Sequence, residues 1–138
     1  MSYSQIVLDY FFAPRNCFRM DNPDVVGIAG NPGNGPFMVL YLKLDGELIV
    51  RASFQTHGCA PSVAAGSLVT ERIRGLALRE TAVWTEQAIN DALGGLPPHK
   101  RYCSAMAAAA LYDLQVAVSL ANMGSTYFAG HQQKGRQE

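Results

Sequence analysis

The 138 residues carry eleven lysines and arginines against eleven aspartates and glutamates, and 49% are apolar. That fits one domain with a sizeable core, and the zero net charge with no basic stripe excludes the electrostatic footprint of a nucleic-acid binder. No unbroken apolar run nears the roughly 18 residues of a bilayer span, and three cysteines, an odd number, argue against a secreted disulfide framework. Met1 to Gln5 lack the basic and apolar regions of a signal peptide, so a cytoplasmic location is expected. In a reducing compartment cysteines serve as metal ligands, redox groups or small buried hydrophobes.

Ser4 to Phe12 predict a short amphipathic helix, with Ser4 as N-cap and Ile6, Val7, Tyr10 and Phe11 at helical spacing. Pro14 stops it, and the chain to Pro23, which includes Cys17, is expected as loop. Val25 to Ala29 predict a short edge strand. Gly30 to Pro36 hold three glycines and two prolines, an irregular loop without the lysine and hydroxyl residue of a phosphate loop. A surface connector is its plain reading.

Phe37 to Leu44 and Glu47 to Gln55 predict two strands joined at the hairpin signal Asp45-Gly46. Their register carries a conflict. A two-residue turn places Leu48, Val50, Ala52 and Phe54 on the face of Lys43, Tyr41, Val39 and Phe37, away from Leu40, Leu42 and Leu44. A one-residue bulge would bring the two apolar sets together.

Ala60 to Arg74 predict a helix ended by Gly75, with Ala64, Ala65, Gly66 and Ser67 allowing close approach of another element. One or two short helices are expected over Leu78 to Leu93, then a break at Gly94 to Pro98. A long helix is expected from about Lys100 to Met123, ended by Gly124. The order implies an α+β fold, an antiparallel sheet covered by helices on one face. One domain over 1–126 and a polar tail over 127–138 are expected.

Cys59 stands where strand gives way to helix, two residues before Pro61. Unpaired amides and the positive end of the helix dipole favour its thiolate there. Cys103, 44 residues on, repeats the arrangement after Pro97-Pro98. If the two helices start near each other, the thiolates suit zinc or iron; otherwise they are two small buried hydrophobes.

These residues sit in longer patterns that resemble the NifU/IscU-type iron–sulfur cluster assembly scaffold. The matching stretches are Tyr3 through Ala13-Pro14-Arg15-Asn16; Val26-Gly27 with the Gly30 to Pro36 loop; Phe54 to Cys59 followed by Leu68-Val69-Thr70-Glu71; and Leu96-Pro97-Pro98-His99-Lys100-Arg101-Tyr102-Cys103-Ser104. The resemblance spans Tyr3 to about Leu120. It implies a three-stranded antiparallel sheet with helices on one side and a long C-terminal helix, a scaffold rather than an enzyme, a [2Fe–2S] cargo, and a cysteine desulfurase and a DnaK-type chaperone as partners. The chaperone would read Leu96, Pro97, Pro98, His99 and Lys100, although Pro-Pro also simply starts a helix. Tyr3 stands where the family has a tyrosine implicated in self-association.

The resemblance also exposes gaps. Cys59 and Cys103 match the family's second and third cysteines as metal ligands. Asn34 stands at the first cysteine, Pro36 at the aspartate and Tyr102 at the histidine. Replacement ligands are sought in His57, two residues before Cys59; in His99, four before Cys103; and in Cys17, if the N-terminal loop folds over the site. Each also has an ordinary reading, as a strand-end histidine, a solvent-facing loop residue and an inert thiol. A homodimer pooling four thiolates, or an external thiol, would complete a cluster. The alternatives are zinc or no metal, in a diverged regulatory homologue or a two-thiol redox or persulfide protein.

Overall fold

The computed structural model describes residues 3–127, with side chains to residue 121. Ser4 caps α1 (Gln5–Phe12) by accepting from the Val7 amide, and its own hydroxyl donates to the Leu93 carbonyl 2.5 Å away. Val7 and Tyr10 are buried, whereas Ile6 and Phe11 are exposed, so the helix buries a narrower stripe than its pattern suggests. Three antiparallel strands follow in the order β1 (Val25–Gly30), β2 (Phe37–Asp45) and β3 (Leu48–His57). Then come α2 (Ala60–Ile73), a 3₁₀ turn (Leu78–Val83), α3 (Glu86–Ala92), a second 3₁₀ turn (Pro98–Lys100) and α4 (Tyr102–Tyr127).

The register conflict is resolved by a bulge. Lys43 faces Arg51 but Leu44 faces Ile49, leaving Val50 as the extra residue. Leu40 then pairs with Phe54 and Leu42 with Ala52, all turned to the helices. Beyond the bulge the alternation flips, so Ile49 is buried while Leu48 and Val50, expected on the core face, are exposed.

The helices pack on that one face. Gly66 of α2 lies against Phe54, where an added Cβ would stand 2.3 Å from the ring. Gly27 of β1 admits α4 in the same way, since a Cβ there would meet the Ala110 carbonyl at 2.3 Å. The other sheet face is not bare. The irregular segment after α1 crosses it, burying Met20 against Val39 and Tyr41, while the Phe54 amide bonds to the Asn16 carbonyl at 2.9 Å.

Two further expectations change. Pro97-Pro98 starts a 3₁₀ turn, closed by the Lys100 amide on the Pro97 carbonyl at 2.8 Å, so α4 begins at Tyr102 rather than at Lys100. It also runs through Gly124 to Tyr127, because a glycine weakens a helix by about 1 kcal/mol without stopping it. Over Pro98–Ala121 the chain is long and apolar enough on average to cross a membrane, although no unbroken apolar run of that length lies within it. Its apolarity is accounted for by packing, since Cys103, Met106, Ala107, Ala110, Leu111 and Leu114 are buried in the core. The expected tail beyond Tyr127 lies outside the described residues.

Candidate metal centre

β3 delivers the chain to the end of the sheet and α2 turns it back, with Cys59 as the N-cap between them. Gly58 keeps the corner open, since a Cβ there would sit 2.7 Å from the Ser62 hydroxyl. From the other side the Pro98–Lys100 turn aims α4 so that Cys103, its second residue, enters the same corner. Asn90 braces this junction from α3, its Oδ1 accepting from the Leu96 amide at 3.2 Å and the Ser104 hydroxyl at 3.5 Å.

The two sulfurs lie 3.9 Å apart. In a tetrahedral site with metal–sulfur bonds of ~2.3 Å, two thiolates on one ion stand about 3.8 Å apart. The pair therefore fits a thiophilic metal or one iron of a cluster. Ser62 Oγ lies 3.4 Å from Cys103 Sγ and 3.8 Å from Cys59 Sγ. Lys100 Nζ donates to Cys59 Sγ at 3.5 Å, and the Tyr102 hydroxyl is 3.9 Å from the same sulfur.

These neighbours make the thiols unequal. Burial pushes the Cys59 pKa up, but the Ser62 amide and hydroxyl, the Tyr102 hydroxyl and the Cys103 thiol together bring it down to about 7. Burial dominates at Cys103, which is fully enclosed, and raises its pKa; the nearby Cys59 adds to the rise. Tyr102 is pushed up to about 12, first by its hydrogen bond to Cys59, then by burial and the sulfur charges. The contact with Cys59 raises Lys100, and since the coupling is mutual the ammonium favours the Cys59 thiolate.

The replacement ligands do not join the pair. His57 is exposed and stacked on Phe37, centroids 6.2 Å apart. His99 is exposed in the 3₁₀ turn; α4 starts after it, so the four-residue spacing to Cys103 is not a helical one. Cys17 pairs through its backbone with Phe54 on the outer edge of β3, where the Phe54 amide donates to the Asn16 carbonyl, and it does not join Cys59 and Cys103. Burial pushes that thiol's pKa up, although the residue as a whole is exposed. Asn34 and Pro36 are exposed in a loop that leaves the sheet at the Cys59 end, since Phe37 pairs with His57. Among the described residues, no three His, Cys, Asp or Glu side chains converge on a metal point.

In the expected chaperone segment Leu96 and Pro97 are buried and Pro98 and His99 exposed, while Lys100 is turned to Cys59. Tyr3 is half-buried against the core. Sequence reasoning missed Ser62 and the role of Lys100 beside the thiols. The signal was there for Ser62, because a residue three beyond an N-cap points back toward it.

Comparison with known proteins agrees with this geometry. The family described as NifU-like N terminal domain matches residues 2–120. Iron-sulfur cluster assembly scaffold protein IscU 1 of Archaeoglobus fulgidus is 42% identical over 109 residues, covering 79% of this chain and 71% of that protein. The IscU scaffold protein of Escherichia coli K12 is 39% identical over 111 residues, covering 78% and 86%. Among solved structures, a candidate iron-sulfur cluster assembly scaffold protein for the SUF system from Fervidobacterium islandicum superposes with a TM-score of 0.66 at 25% identity, covering 80% of this chain and 93% of that one.

Proposed function

Since the chain belongs to the NifU-like N-terminal domain family, we propose that it is an iron–sulfur cluster assembly scaffold or carrier holding its cargo at Cys59 and Cys103. The observation that carries this is the 3.9 Å separation of two sulfurs brought together from the starts of different helices. The cargo is [2Fe–2S]. Cys59 and Cys103 supply the two thiolates of one iron, and the second iron takes its thiolates from another copy of the chain or an external thiol. Sulfur arrives from a cysteine desulfurase at Cys59, the more exposed and more ionised thiol. The protein is not an enzyme, and it works in the cytoplasm. A DnaK-type chaperone that reads Leu96 to Lys100 as an extended peptide has to draw Leu96 and Pro97 from the core and Lys100 from Cys59, which ties recognition to loosening of the site.

Anaerobic reconstitution with iron and sulfide tests this reading. A cluster chromophore with bound iron is expected, lost in Cys59→Ala and in Cys103→Ala. A colourless, metal-free product would sink it and favour a diverged homologue that has lost assembly. The same 3.9 Å also supports a second reading, a two-thiol redox or persulfide protein, because the two sulfurs are already neighbours that an oxidant could join. Rapid Cys59–Cys103 disulfide formation under a mild oxidant, without cluster assembly, would favour it.

A further inference from the structure

Two cysteines alone leave a metal half-coordinated, yet a third donor already faces both. Ser62 Oγ, Cys59 Sγ and Cys103 Sγ form a triangle with edges of 3.9, 3.8 and 3.4 Å. One face of a tetrahedral centre built from two metal–sulfur bonds of ~2.3 Å and one metal–oxygen bond of ~2.1 Å has edges of about 3.8, 3.6 and 3.6 Å. The observed edges agree to a few tenths of an ångström. Ser62 is fully buried and fixed on the first turn of α2, so its hydroxyl has little freedom to turn elsewhere.

We propose that Ser62 is the third protein donor of this centre, standing in the place that Asn34 leaves unfilled. The inference rests on the reading of Cys59 and Cys103 as the metal-holding pair. The ligand class is a single divalent, thiophilic ion that accepts tetrahedral coordination, such as Zn²⁺ or the Fe²⁺ that precedes a cluster; Ser62 gives way when two bridging sulfides join Cys59 and Cys103 on that iron. On binding, Cys103 and the still-protonated fraction of Cys59 lose their protons to solvent, two metal–thiolate bonds form, and Ser62 donates a lone pair as a neutral hydroxyl. Tyr102 is the weaker candidate, because the residue is 42% exposed and its hydroxyl stands 3.9 Å from Cys59 Sγ. Tyr102 and Lys100 flank the partly exposed Cys59, the side from which a sulfide or an incoming thiol would supply the fourth ligand. Lys100 places a positive charge beside Cys59 and so suits an anionic fourth ligand.

The test is a Co²⁺ titration of the metal-free protein followed by visible absorption, with Zn²⁺ competition, on the wild type and on Ser62→Ala, Ser62→Cys and Cys59→Ala. Thermal unfolding of each metal-free variant checks its fold. If Ser62 ligates, Ser62→Ala weakens Co²⁺ binding by at least about tenfold and shifts the ligand-field bands. Ser62→Cys binds more tightly and raises the thiolate-to-cobalt charge-transfer intensity by about half, as a third Co–S bond requires. Unchanged affinity and bands in Ser62→Ala, or charge transfer from only two thiolates in Ser62→Cys, would overturn the assignment while leaving the cysteine pair intact. Wild type that binds no Co²⁺ through thiolate, or Cys59→Ala that binds it as well as wild type, would remove the cysteine pair and Ser62 with it.

Discussion

Two regions bear the family's motifs, and they are built on different physical terms. At the back of α2, Pro14-Arg15-Asn16 meets Ser67 to Glu71. Tyr10 and Arg15 both donate to the Glu71 carboxylate, at 2.5 and 2.6 Å, the Arg15 amide donates to Ser67, and the Asn16 amide group donates to Thr70. Two motifs more than fifty residues apart are thus one contact, with short bonds and matched partners. At the front of α2, Cys59, Ser62, Cys103, Tyr102 and Lys100 touch through long contacts to sulfur, from 3.4 to 3.9 Å. The back contact positions the helix. The front cluster is held only by weak sulfur contacts, which a metal can replace with bonds to the same atoms. Equal strength of resemblance therefore marks two roles, and short oxygen and nitrogen bonds against long sulfur contacts tell them apart.

Substitutions in the framework should cost stability, and those in the front cluster should cost binding. The largest effect is expected at Phe54, fully buried between Gly66 and Leu40. Phe54→Ala should lose about 3–5 kcal/mol in urea unfolding, because α2 cannot sink far enough to fill the void. A loss under about 1 kcal/mol would mean that the strand–helix interface is looser than this packing implies.

The carboxylate contact comes next. Glu71→Gln should cost about 1 kcal/mol, the charge-assisted bonds being discounted for an ion pair that is substantially exposed. The sign with pH follows from the lowered Glu71 pKa, which the Tyr10 hydrogen bond and then Arg15 produce against burial. The stabilisation is present above the ordinary carboxylate range and is lost as pH falls through the depressed folded-state value. Wild type and Glu71→Gln should therefore converge in acid, with no change in metal binding at neutral pH. Divergence on acidification would contradict the assignment.

Cys59→Ala draws the contrast from the other side. The thiol is only partly buried, so unfolding free energy should change by no more than about 0.5 kcal/mol while cluster or cobalt binding disappears. If stability fell as far as in Phe54→Ala, Cys59 would belong to the framework.

The sequence patterns expose the framework more fully than the site for a physical reason. Periodicity shows which residues must leave water, so the α2 row of Ala65, Val69 and Ile73, the Ser4 cap and the need for a one-residue bulge in the hairpin are readable, while Ile6, Phe11, Leu48 and Val50 are not where it puts them. The position of the bulge is not readable, because Leu48, Ile49 and Val50 are all apolar and only three-dimensional packing chooses Ile49. At the site, Cys59 and Cys103 stood out through chemistry and helix position. Ser62 and Lys100 did not, because a serine in a first helical turn and a lysine near a helix start have many ordinary roles. Their nearness to sulfur depends on how α2 and α4 meet. Cys17, His57 and His99 looked available because chain distance does not reveal direction. The crossing loop, the Phe37 stack and the 3₁₀ turn each direct one of them away.

The smallest effect should be the most informative about the front cluster. The rate of Cys59 alkylation in the metal-free protein should rise with pH around a midpoint near 7, well below the ordinary thiol range, while Cys103 is alkylated slowly, being buried with a raised pKa. Lys100→Met removes the ammonium 3.5 Å from Cys59 Sγ and should move the midpoint upward, leaving the unfolding curve unchanged at the pH where both thiols are protonated. Glu71→Gln should leave the midpoint where it is, since the back contact shares no hydrogen bond with the front cluster. Equal movement in the two variants would mean that the faces of α2 are electrostatically one region. Movement in Lys100→Met alone would establish the lysine as a local tuner of the exposed thiol.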